Sequence, residues 1–389
     1  MTNSKFNKKS AGLTVAIDAS RNRSGGAKAH LIGILRDEDP QKFGISEVHL
    51  WSYRELLDQV PDRPWLIKHC PDALNKSLIK QVFWQRYLFP KEILQNQCDI
   101  LLNTDAGTVS TFKPCVTMSR DMLSYEKGEI ERFGYTKARV RLLLLRYMQN
   151  SSLKRANGAV FLTNYAATII QQFTGELKNI AIIPHGVGKE FSENQVDVKA
   201  SSTKDVEIKA LYVSPTNFYK HQWNVVEAVS ILRNKGFSLK LELVGGGSGK
   251  AYQKLSDQVN KSDPDGVFVT RKSFVPHNEL PDLLSKADLF VFASSCENMP
   301  NSLVEAMSVG LPIACSNRGP MPEVLEDGGS YFDPEVVGSI VNAIEEILVR
   351  PDYKKIISLK SKELSKKYSW KRCAGETWGY LGDVHRQSS

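Results

Sequence analysis

The sequence lacks the long apolar segments and the cysteine patterns that mark membrane-spanning and disulfide-stabilised proteins. No apolar run reaches the roughly 18 residues that a transmembrane helix needs. Its 6 cysteines are scattered, without a C-x-x-C pair or metal-ligand spacing, as in the buried thiols of a reducing compartment. Residues Met1–Ser10 are polar and basic and lack the apolar core of a signal peptide. We therefore expect a cytoplasmic protein, or one that docks to a membrane from that side.

What is present is the composition of a globular protein with a positive charge. Hydrophobic residues make up 41% and charged residues 24% of 389 residues, which is too long a chain for one ordinary core, so we expect two domains. Its 51 Lys and Arg exceed its 43 Asp and Glu, giving a net charge of +8. This charge suits anionic partners such as nucleotide diphosphates, anionic lipids or nucleic acid. Nucleic acid is disfavoured because no recognised binding motif is present.

Strand and helix patterns alternate along the whole chain. This rhythm predicts an α/β protein with doubly wound parallel sheets, whose ligand crevices lie at the carboxyl ends of the strands. The polar, Ser-rich stretch Ser192–Asp205 interrupts the rhythm and is predicted to be a linker. We therefore predict an N-terminal domain over 1–195, a C-terminal domain over 206–366, and a last helix over 367–389 that crosses back. The predicted strands are Leu13–Asp18, Glu47–Trp51, Trp65–His69, Asp99–Asn103, Pro114–Met118, Gly158–Thr163, Ile180–Pro184, Ile208–Val213, Leu239–Val244, Val267–Val269, Asp288–Ala293 and Ile313–Cys315.

The stretch Ser294–Met307 is the most informative part of the sequence. It follows the apolar strand Asp288–Ala293 and contains Glu297 in a loop, then Asn301 or Ser302 as an N-cap, then a helix with Leu303 on its apolar face. The free N–H groups at the start of such a helix would point at the carboxyl end of the strand. That arrangement predicts an anion-binding site.

This stretch resembles a known family. Glu297 and Glu305, together with Gly310–Ile313 and Gly319–Val324, resemble the E-x7-E region of retaining, nucleotide-sugar-dependent glycosyltransferases of the GT-B class, family 4. The resemblance implies two facing Rossmann-like domains with the donor in an interdomain cleft. It implies a nucleoside-diphosphate-sugar as donor substrate and no obligatory metal or other cofactor. It also implies that Glu305 holds the ribose and that Glu297 contacts the transferred sugar near its reactive carbon.

Further donor-site residues follow from the resemblance in the C-terminal half. Lys220 stands where relatives place a phosphate-binding lysine, whereas Ser214 stands where they commonly place an arginine. The missing cation could be supplied by Arg120, Arg271 or Lys272. Gly246 lies in the Gly245–Gly247 turn after a strand, and Val275 lies in a segment that usually borders the nucleotide base. A solvated lysine at a helix start is the alternative for Lys220.

The N-terminal half supplies the remaining candidates. Gly25 and Gly26 form a turn before a helix that starts at Ala27, which suits a phosphate cradle or an ordinary tight turn. Two loops at strand ends carry Asp105 and the pair Arg120–Asp121, where many relatives have His-Asp. We expect Asp121 to orient the acceptor or donor sugar and Arg120 and Asp105 to lie on the acceptor side, or else Asp121 to pair simply with Arg120. His185, at another strand end, is a candidate for donor binding or for a structural role.

The predicted helix Thr136–Lys154 combines leucines with a strongly basic face. Such a helix suits the surface of an anionic membrane, or it is a half-buried domain helix with a solvated basic face. The basic residues are Lys137, Arg139, Arg141, Arg146, Lys154 and Arg155.

Taken with the resemblance, these features predict a retaining glycosyltransferase. We expect it to move a hexose-type sugar to a hydroxyl of a glycan or lipid-linked acceptor in bacterial surface polysaccharide biosynthesis, such as lipopolysaccharide or capsule. The alternatives are a non-catalytic GT-B-like subunit of a polysaccharide assembly complex, or another GT-B enzyme such as a sugar-nucleotide epimerase or a phosphorylase.

Overall fold

The computed structural model describes residues 12–23, 25–194 and 206–389. The chain divides into two compact units. Unit 1 contains the chain up to Tyr125, Tyr135–Gly186 and Trp370–Ser389. Unit 2 contains Glu126–Gly134 and Val187–Ser369. Of the predicted linker Ser192–Asp205, residues 195–205 lie outside the described residues, and its first residues are helical, in Lys189–Glu193.

Unit 1 is built on a 7-stranded sheet in which all neighbouring strands are parallel. Its order is β3-β2-β1-β4-β5-β6-β7, so the direction of winding reverses between β1 and β4. Strands β1, β4, β5 and β6 lie in the middle of the sheet and are almost wholly buried, which explains their continuous apolar sequence. The strands are β1 Leu13–Asp18, β2 Ile45–Trp51, β3 Leu66–His69, β4 Ile100–Asn103, β5 Cys115–Met118, β6 Gly158–Phe161 and β7 Ile180–Ile182.

Helices cover this sheet, and the last helix of the chain packs against the first. The contact is close, since a Cβ atom added at Gly33 would lie 2.4 Å from the ring of Trp370. The helices of unit 1 are α1 Gly25–Asp37, α2 Arg54–Leu57, α3 Leu78–Phe83, α4 Phe89–Gln95, α5 Lys137–Arg155, α6 Asn164–Thr174 and, at the end of the chain, α15 Trp370–Ser388.

Two helix predictions in unit 1 need correction. The sequence around Lys76–Ile93 predicts one long helix. In the structure a π-helical turn, Trp84–Leu88, interrupts it, because Pro90 has no N–H and its ring crowds the carbonyl of Arg86. For helix α6 the sequence predicts Asn164 as the N-cap, but the cap is Thr163. The Thr163 hydroxyl oxygen accepts a hydrogen bond from the N–H of Ala166 at 3.1 Å.

Unit 2 repeats this architecture with a 6-stranded parallel sheet in the order β10-β9-β8-β11-β12-β13. Winding reverses between β8 and β11. The strands are β8 Ile208–Val213, β9 Leu239–Val244, β10 Val269–Lys272, β11 Leu289–Phe292, β12 Ile313–Ser316 and β13 Ser330–Phe332. The helices are α7 Lys189–Glu193, α8 Gln222–Asn234, α9 Gly249–Ser262, α10 Leu280–Ser285, α11 Asn301–Val309, α12 Met321–Leu325, α13 Val337–Val349 and α14 Pro351–Ser365. The predicted α/β fold with two doubly wound parallel sheets is confirmed.

One strand lies later in the sequence than predicted. The strand expected at Val267–Val269 is β10, Val269–Lys272. The carboxylate of Asp263 accepts hydrogen bonds from the N–H groups of Val267, Phe268 and Val269 at 2.7, 2.8 and 2.7 Å. These N–H groups are therefore bonded to a side chain where the prediction had placed them in the ladder of a sheet.

Candidate functional site

Lys220 and Glu297 meet at the switch point of the unit 2 sheet. Lys220 ends the loop after β8, and Glu297 lies in the loop after β11, the neighbouring strand. Because parallel strands present their carboxyl ends at one edge, the two loops converge there. The Lys220 ammonium group forms an ion pair with the Glu297 carboxylate, and the two side chains are only 10% and 15% exposed. Lys220 also lies 5.3 Å from the centre of the Phe292 ring.

A buried hydrogen-bond chain supports both loops. Nε2 of His221 lies 2.9 Å from the hydroxyl oxygen of Ser295, and that hydroxyl lies 2.6 Å from Oε1 of Glu129. A carboxylate oxygen only accepts, so Ser295 donates to Glu129 and the imidazole N–H donates to Ser295. Burial lowers the pKa of His221 to about 4, which keeps the ring neutral near pH 7. His221 follows Lys220 in the chain, and Ser295 precedes Glu297 by two positions.

Glu129 reaches this network from a segment that is distant in sequence. It lies in Glu126–Gly134, which belongs to unit 2 although the residues on either side belong to unit 1. Its side chain is buried, and its Oε2 forms an ion pair with Nε of Arg132 at 2.9 Å. Arg132 also pairs with Glu335, and Phe133 packs edge-on against Phe218 with ring centres 6.5 Å apart. Our sequence analysis missed Glu129 because its segment is short, polar and without periodicity.

Helix α11 starts beside Glu297, but its cap differs from the prediction. Pro300 is the N-cap, and α11 begins at Asn301 without a capping hydrogen bond from a side chain, so neither Asn301 nor Ser302 is the N-cap that the sequence predicted. Instead, the Pro300 carbonyl accepts from the N–H groups of Leu303 and Val304 at 3.0 and 3.2 Å. Asn301 and Ser302 remain half-buried in the first turn, and Leu303 is in the core.

Glu305 lies one turn further along α11 and has a histidine partner. Its Oε1 is 3.1 Å from Nε2 of His277, and its side chain is 13% exposed. His277 begins a short 3-10 turn after β10, and its ring lies edge-on to Phe191 at 5.4 Å. Sequence reasoning gave no signal for His277, since one histidine in a polar loop has no pattern.

The glycine turn after β9 packs against the backbone of the loop that carries Ser214. Gly246 has φ +59°, and a Cβ atom there would lie 2.7 Å from the carbonyl oxygen of Ser273. At Gly245 a Cβ atom would lie 2.5 Å from the Ser214 carbonyl, so glycine is needed at both positions. Gly246, Ser214, Arg271 and Lys272 line one cavity, and Lys272 pairs with Glu242 at 2.6 Å. Val275 lies half-buried in the loop after β10.

Arg120 and Asp121, in unit 1, do not pair with each other. Arg120 donates from Nη2 to Oδ1 of Asn22 at 2.7 Å and from Nη1 to the carbonyl of Ala27 at 3.3 Å, and burial lowers its pKa. Asp121 accepts from the N–H of Leu123 at 3.0 Å and from Gln149 at 3.4 Å, and burial raises its pKa. The alternative of a simple Arg120–Asp121 pair is therefore wrong.

The other unit 1 candidates have local partners. Gly25 and Gly26 form the first turn of α1, two residues earlier than the predicted helix start. Asp105 accepts a hydrogen bond from the N–H of Gly107 at 2.7 Å. His185 is buried, with its ring 4.2 Å from that of His30 and 5.9 Å from that of Trp370.

In the described part of the chain, no group of three or more His, Cys, Asp or Glu side chains could hold a metal ion. The same residues include no helix with the length and apolarity needed to cross a membrane.

Comparison with known proteins identifies the region that carries the unit 2 site. Residues 194–363 match the family model described as "Glycosyl transferases group 1". This range contains Lys220, Glu297 and Glu305. Over this range the match confirms the predicted resemblance to GT-B glycosyltransferases, while membership of family 4 and a retaining mechanism stay predictions.

Among curated relatives, the chain is similar to an O-antigen chain mannosyltransferase B of Escherichia coli. The two are 28% identical over 168 residues, which cover 43% of this chain and 44% of the relative. The chain is also 30% identical over 135 residues to the amylovoran biosynthesis glycosyltransferase AmsK of Erwinia amylovora, covering 32% of this chain and 31% of that relative. The chain thus spans about half or less of the length of the curated relatives it matches.

Solved structures show the fold over nearly the whole chain. A sucrose-phosphate synthase from Thermosynechococcus elongatus matches with a TM-score of 0.73 at 16% identity, covering 96% of this chain and 98% of that one. Anabaena Alr3699/HepE, solved in complex with UDP and glucose, matches with a TM-score of 0.65 at 15% identity, covering 94% and 98%. At these identities the likeness establishes the GT-B fold.

Proposed function

We propose that the protein is a retaining glycosyltransferase that moves a hexose-type sugar from a nucleoside-diphosphate-sugar to a hydroxyl of a glycan or lipid-linked acceptor. The observation that carries the proposal is the Lys220–Glu297 pair at the switch point of the unit 2 sheet, beside the start of α11 and one turn from Glu305. The group 1 family match supports the class of reaction. The similarity to proteins named for O-antigen and amylovoran biosynthesis supports a role in bacterial surface polysaccharide synthesis, such as lipopolysaccharide or capsule.

Each residue of this site has a chemical role in the proposal. The diphosphate lies at the first turn of α11, Asn301–Leu303, where Lys220, the backbone N–H group of Ser302 and the positive end of the helix dipole stabilise the charge that develops as it leaves. Glu305 accepts hydrogen bonds from the ribose hydroxyls. Glu297 faces the transferred sugar and stabilises positive charge at its reactive carbon.

The Lys220–Glu297 ion pair explains how both groups are held ready before the donor binds. An ammonium group has three N–H donors, so Lys220 can keep its bond to Glu297 and give another to a phosphate oxygen. The negative charge of the Glu297 carboxylate can stabilise an oxocarbenium-like carbon. The ion pair therefore orients both side chains and leaves Lys220 free to bind phosphate and Glu297 free to face the sugar.

Ser214 leaves the proposed phosphate site with one cation fewer than is common in relatives. Arg271 and Lys272 share a cavity with Ser214 and Gly246, which makes them better substitutes than Arg120, whose guanidinium is bonded to Asn22 and Ala27 in unit 1. Roles of Gly25, Gly26 and His185 in donor binding, and of Asp105, Arg120 and Asp121 on the acceptor side, remain part of the proposal.

A lipid-linked acceptor would require contact with a membrane on its cytoplasmic face, and unit 1 has a suitable surface. Helix α5 exposes Val140, Leu144 and Tyr147 at 58%, 60% and 75%, among basic residues and without an acidic residue in Lys137–Arg155. A second stripe, missed in the sequence, consists of Ile79, Phe83 and Tyr87 at 81%, 55% and 57% exposure. Lys76, Lys80 and Lys91 are exposed in the same part of the sequence.

The topology places both stripes on one face of the unit 1 sheet. The connections from β3 to β4 and from β5 to β6 run in the same direction across the sheet. Right-handed connections in one direction put their helices on the same face. Exposed apolar side chains surrounded by cations suit the interface of an anionic bilayer.

A non-catalytic GT-B subunit is the second candidate. It is favoured by Ser214 and by Arg120, which stands where many relatives have histidine and is bonded inside unit 1.

Thermal unfolding with UDP, GDP, ADP and CMP, and then with their sugar conjugates, tests the proposal. A nucleotide at a hundred times its Kd should add about 2.7 kcal/mol of stability, which is readable as a higher Tm. The Lys220→Ala variant is the matched control and should lose most of the shift. Stabilisation by one diphosphate, followed by transfer from its sugar conjugate, supports the enzyme. No stabilisation by any of them would favour the non-catalytic subunit.

A further inference from the structure

Unit 1 contains a cavity of about 250 Å³ between the π-helical turn Trp84–Leu88, the C-terminal end of α5 and the loop that joins β4 to β5. Its floor is formed by the side of the sheet that carries Cys115 and Thr117 on β5. Arg86 on one side and Ser152 and Arg155 on the other line its walls. The volume is several times the roughly 30 Å³ that one water molecule occupies in the liquid.

The lining of the cavity is cationic. Arg86, Lys113 and Arg155 line it, and none of its lining residues is acidic. In the described part of the chain these three side chains form no ion pair with a carboxylate; Arg86 makes a long hydrogen bond, 3.4 Å, to the carbonyl of Val109. The charges of Lys113 and Arg155 act on the Cys115 thiol, lowering its pKa against the larger rise caused by burial. Both cationic groups therefore lie near the floor of the cavity. Three cations without a carboxylate disfavour a metal ion and favour an anion.

Two buried polar atoms in the same lining have no partner among the described residues. They are Oδ1 of Asn103, whose residue is 2% exposed, and the hydroxyl oxygen of Ser152, whose residue is 4% exposed. The amide nitrogen of Asn103 is already bonded to the Thr117 hydroxyl at 3.2 Å. Oδ1 can only accept, so it needs a donor such as a hydroxyl group. Buried polar groups are normally hydrogen-bonded, which makes this pair of atoms a sign of a ligand with its own hydrogen-bonding groups.

We propose that this cavity binds a phosphate ester that carries free hydroxyl groups. The phosphate lies among Arg86, Lys113 and Arg155, and a hydroxyl of the ligand donates to Asn103. Guanidinium groups suit this task because their planar N–H donors match phosphate oxygens. Two sources share this chemistry: a soluble sugar or polyol phosphate, and the headgroup of a glycerophospholipid. The site involves unit 1 alone and does not depend on the proposed donor site in unit 2.

Calorimetric titration of the full chain with glycerol 3-phosphate tests the site. Glycerol alone and inorganic phosphate alone should each bind at least 10-fold more weakly, since each offers only one of the two groups. The double variant Lys113→Gln/Arg155→Gln should weaken binding at least 10-fold. Lys154→Gln, which changes the exposed cation next to Arg155 outside the cavity, is the matched control and should bind as the wild type does.

A second variant separates binding from folding. Ser152→Ala removes an unpartnered hydroxyl, so the Tm without ligand should be unchanged or higher, while binding of glycerol 3-phosphate should weaken several-fold. Pelleting with vesicles of phosphatidylglycerol or of phosphatidylcholine then identifies the source. Loss of phosphatidylglycerol binding in Lys113→Gln/Arg155→Gln identifies a lipid headgroup, and binding of glycerol 3-phosphate without such an effect identifies a soluble phosphate ester.

Two results would overturn the proposal. One is no detectable binding of glycerol 3-phosphate and no difference between wild type and double variant on phosphatidylglycerol vesicles. The other is binding that Lys113→Gln/Arg155→Gln leaves as tight as in Lys154→Gln.

Discussion

Lys220 and Glu297 are 77 residues apart in the chain and yet form a nearly buried ion pair. They meet because β8 and β11 are neighbours in the sheet and parallel, so the loops after them leave the same edge side by side. Substitutions of this pair and of the residues around it therefore test the proposed reaction.

Substitution of Glu305 in α11 and of Glu297 in the preceding loop should affect different steps: the first should weaken binding of the donor and the second should slow the reaction. Glu305→Ala should raise the Kd for the nucleoside diphosphate by about 10- to 100-fold, because it removes a hydrogen-bonded charged acceptor worth about 1.5–3 kcal/mol. Glu297→Ala should leave that Kd nearly unchanged and lower kcat by about 100- to 1,000-fold, because its charge acts on the transition state. Binding calorimetry and initial rates with the donor identified by thermal unfolding measure both. Wild-type rates in both variants would refute the assignment.

Glu129 should position the loops that carry Lys220 and Glu297. Glu129→Ala leaves the Ser295 hydroxyl and Arg132 without their buried partner, so unfolding of unit 2 should cost about 1–3 kcal/mol less. If Glu129 positions Lys220 and Glu297, the variant should also bind nucleoside diphosphate more weakly and turn over more slowly at a temperature well below its Tm.

Glu129→Gln is the conservative control, because its amide oxygen still accepts from Ser295. It should recover most of the lost binding. A lower Tm with unchanged Kd and kcat in Glu129→Ala would show that the residue only supports the fold.

The buried His221 should make unit 2 sensitive to acid. Its pKa is lowered from 6.5 to about 4 by burial, so the unfolded state binds more protons than the folded state between these values. Stability is therefore complete above pH 6.5 and falls as the pH drops toward 4, by about 3 kcal/mol from this group.

Urea unfolding between pH 4.5 and 7.5 measures this loss. His221 has φ +46°, a conformation that Asn tolerates well, so His221→Asn should fold and should show a flatter pH dependence. An equally steep loss in that variant would assign the acid sensitivity to other groups.

The exposed stripes of unit 1 should bind anionic vesicles in a salt-dependent way. Ile79→Ser/Phe83→Ser should reduce pelleting several-fold, and Arg139→Gln/Arg141→Gln should reduce its dependence on salt. Arg146 is left unchanged because it donates to the carbonyl of Ser124 and lies over the Phe173 ring.

The matched control is Ile356→Ser/Leu359→Ser on α14, where two side chains are also more than half exposed. This variant should pellet like the wild type. Equal pelleting of all variants, or equal pelleting with neutral and anionic vesicles, would refute the proposal that unit 1 binds an anionic membrane.

The fold could be predicted from the sequence because buried parallel strands are short, continuous apolar runs, as in Leu289–Phe292. Glu297 and Glu305 could be identified from the sequence because their spacing and flanking residues form a recognisable motif. The cap of α11 was predicted wrongly, because Asn301 and Ser302 are favourable caps by propensity, whereas the observed cap is the backbone carbonyl of Pro300.

The partners of the site could not be predicted, because they depend on contacts between segments far apart in the chain. Ser295 and Glu129 are separated by 166 residues, and Glu305 and His277 are separated by 28. The bonds of Arg120 to Asn22 and Ala27 are equally non-local. Local pattern has no information on such pairs.

The segment Glu126–Gly134 also bears on how this chain can be divided. Since it belongs to unit 2, the chain passes from one unit to the other at four places: after Tyr125, Gly134, Gly186 and Ser369. A fragment cut at the predicted linker would keep all strands of the 6-stranded sheet but lose Glu129 and Arg132. Ser295 would then lose its hydrogen bond to Glu129, and Glu335 its ion pair with Arg132. An isolated unit 2 that keeps these contacts would have to join residues 126–134 to residues 187–369 through an added linker in place of the unit 1 segment between them.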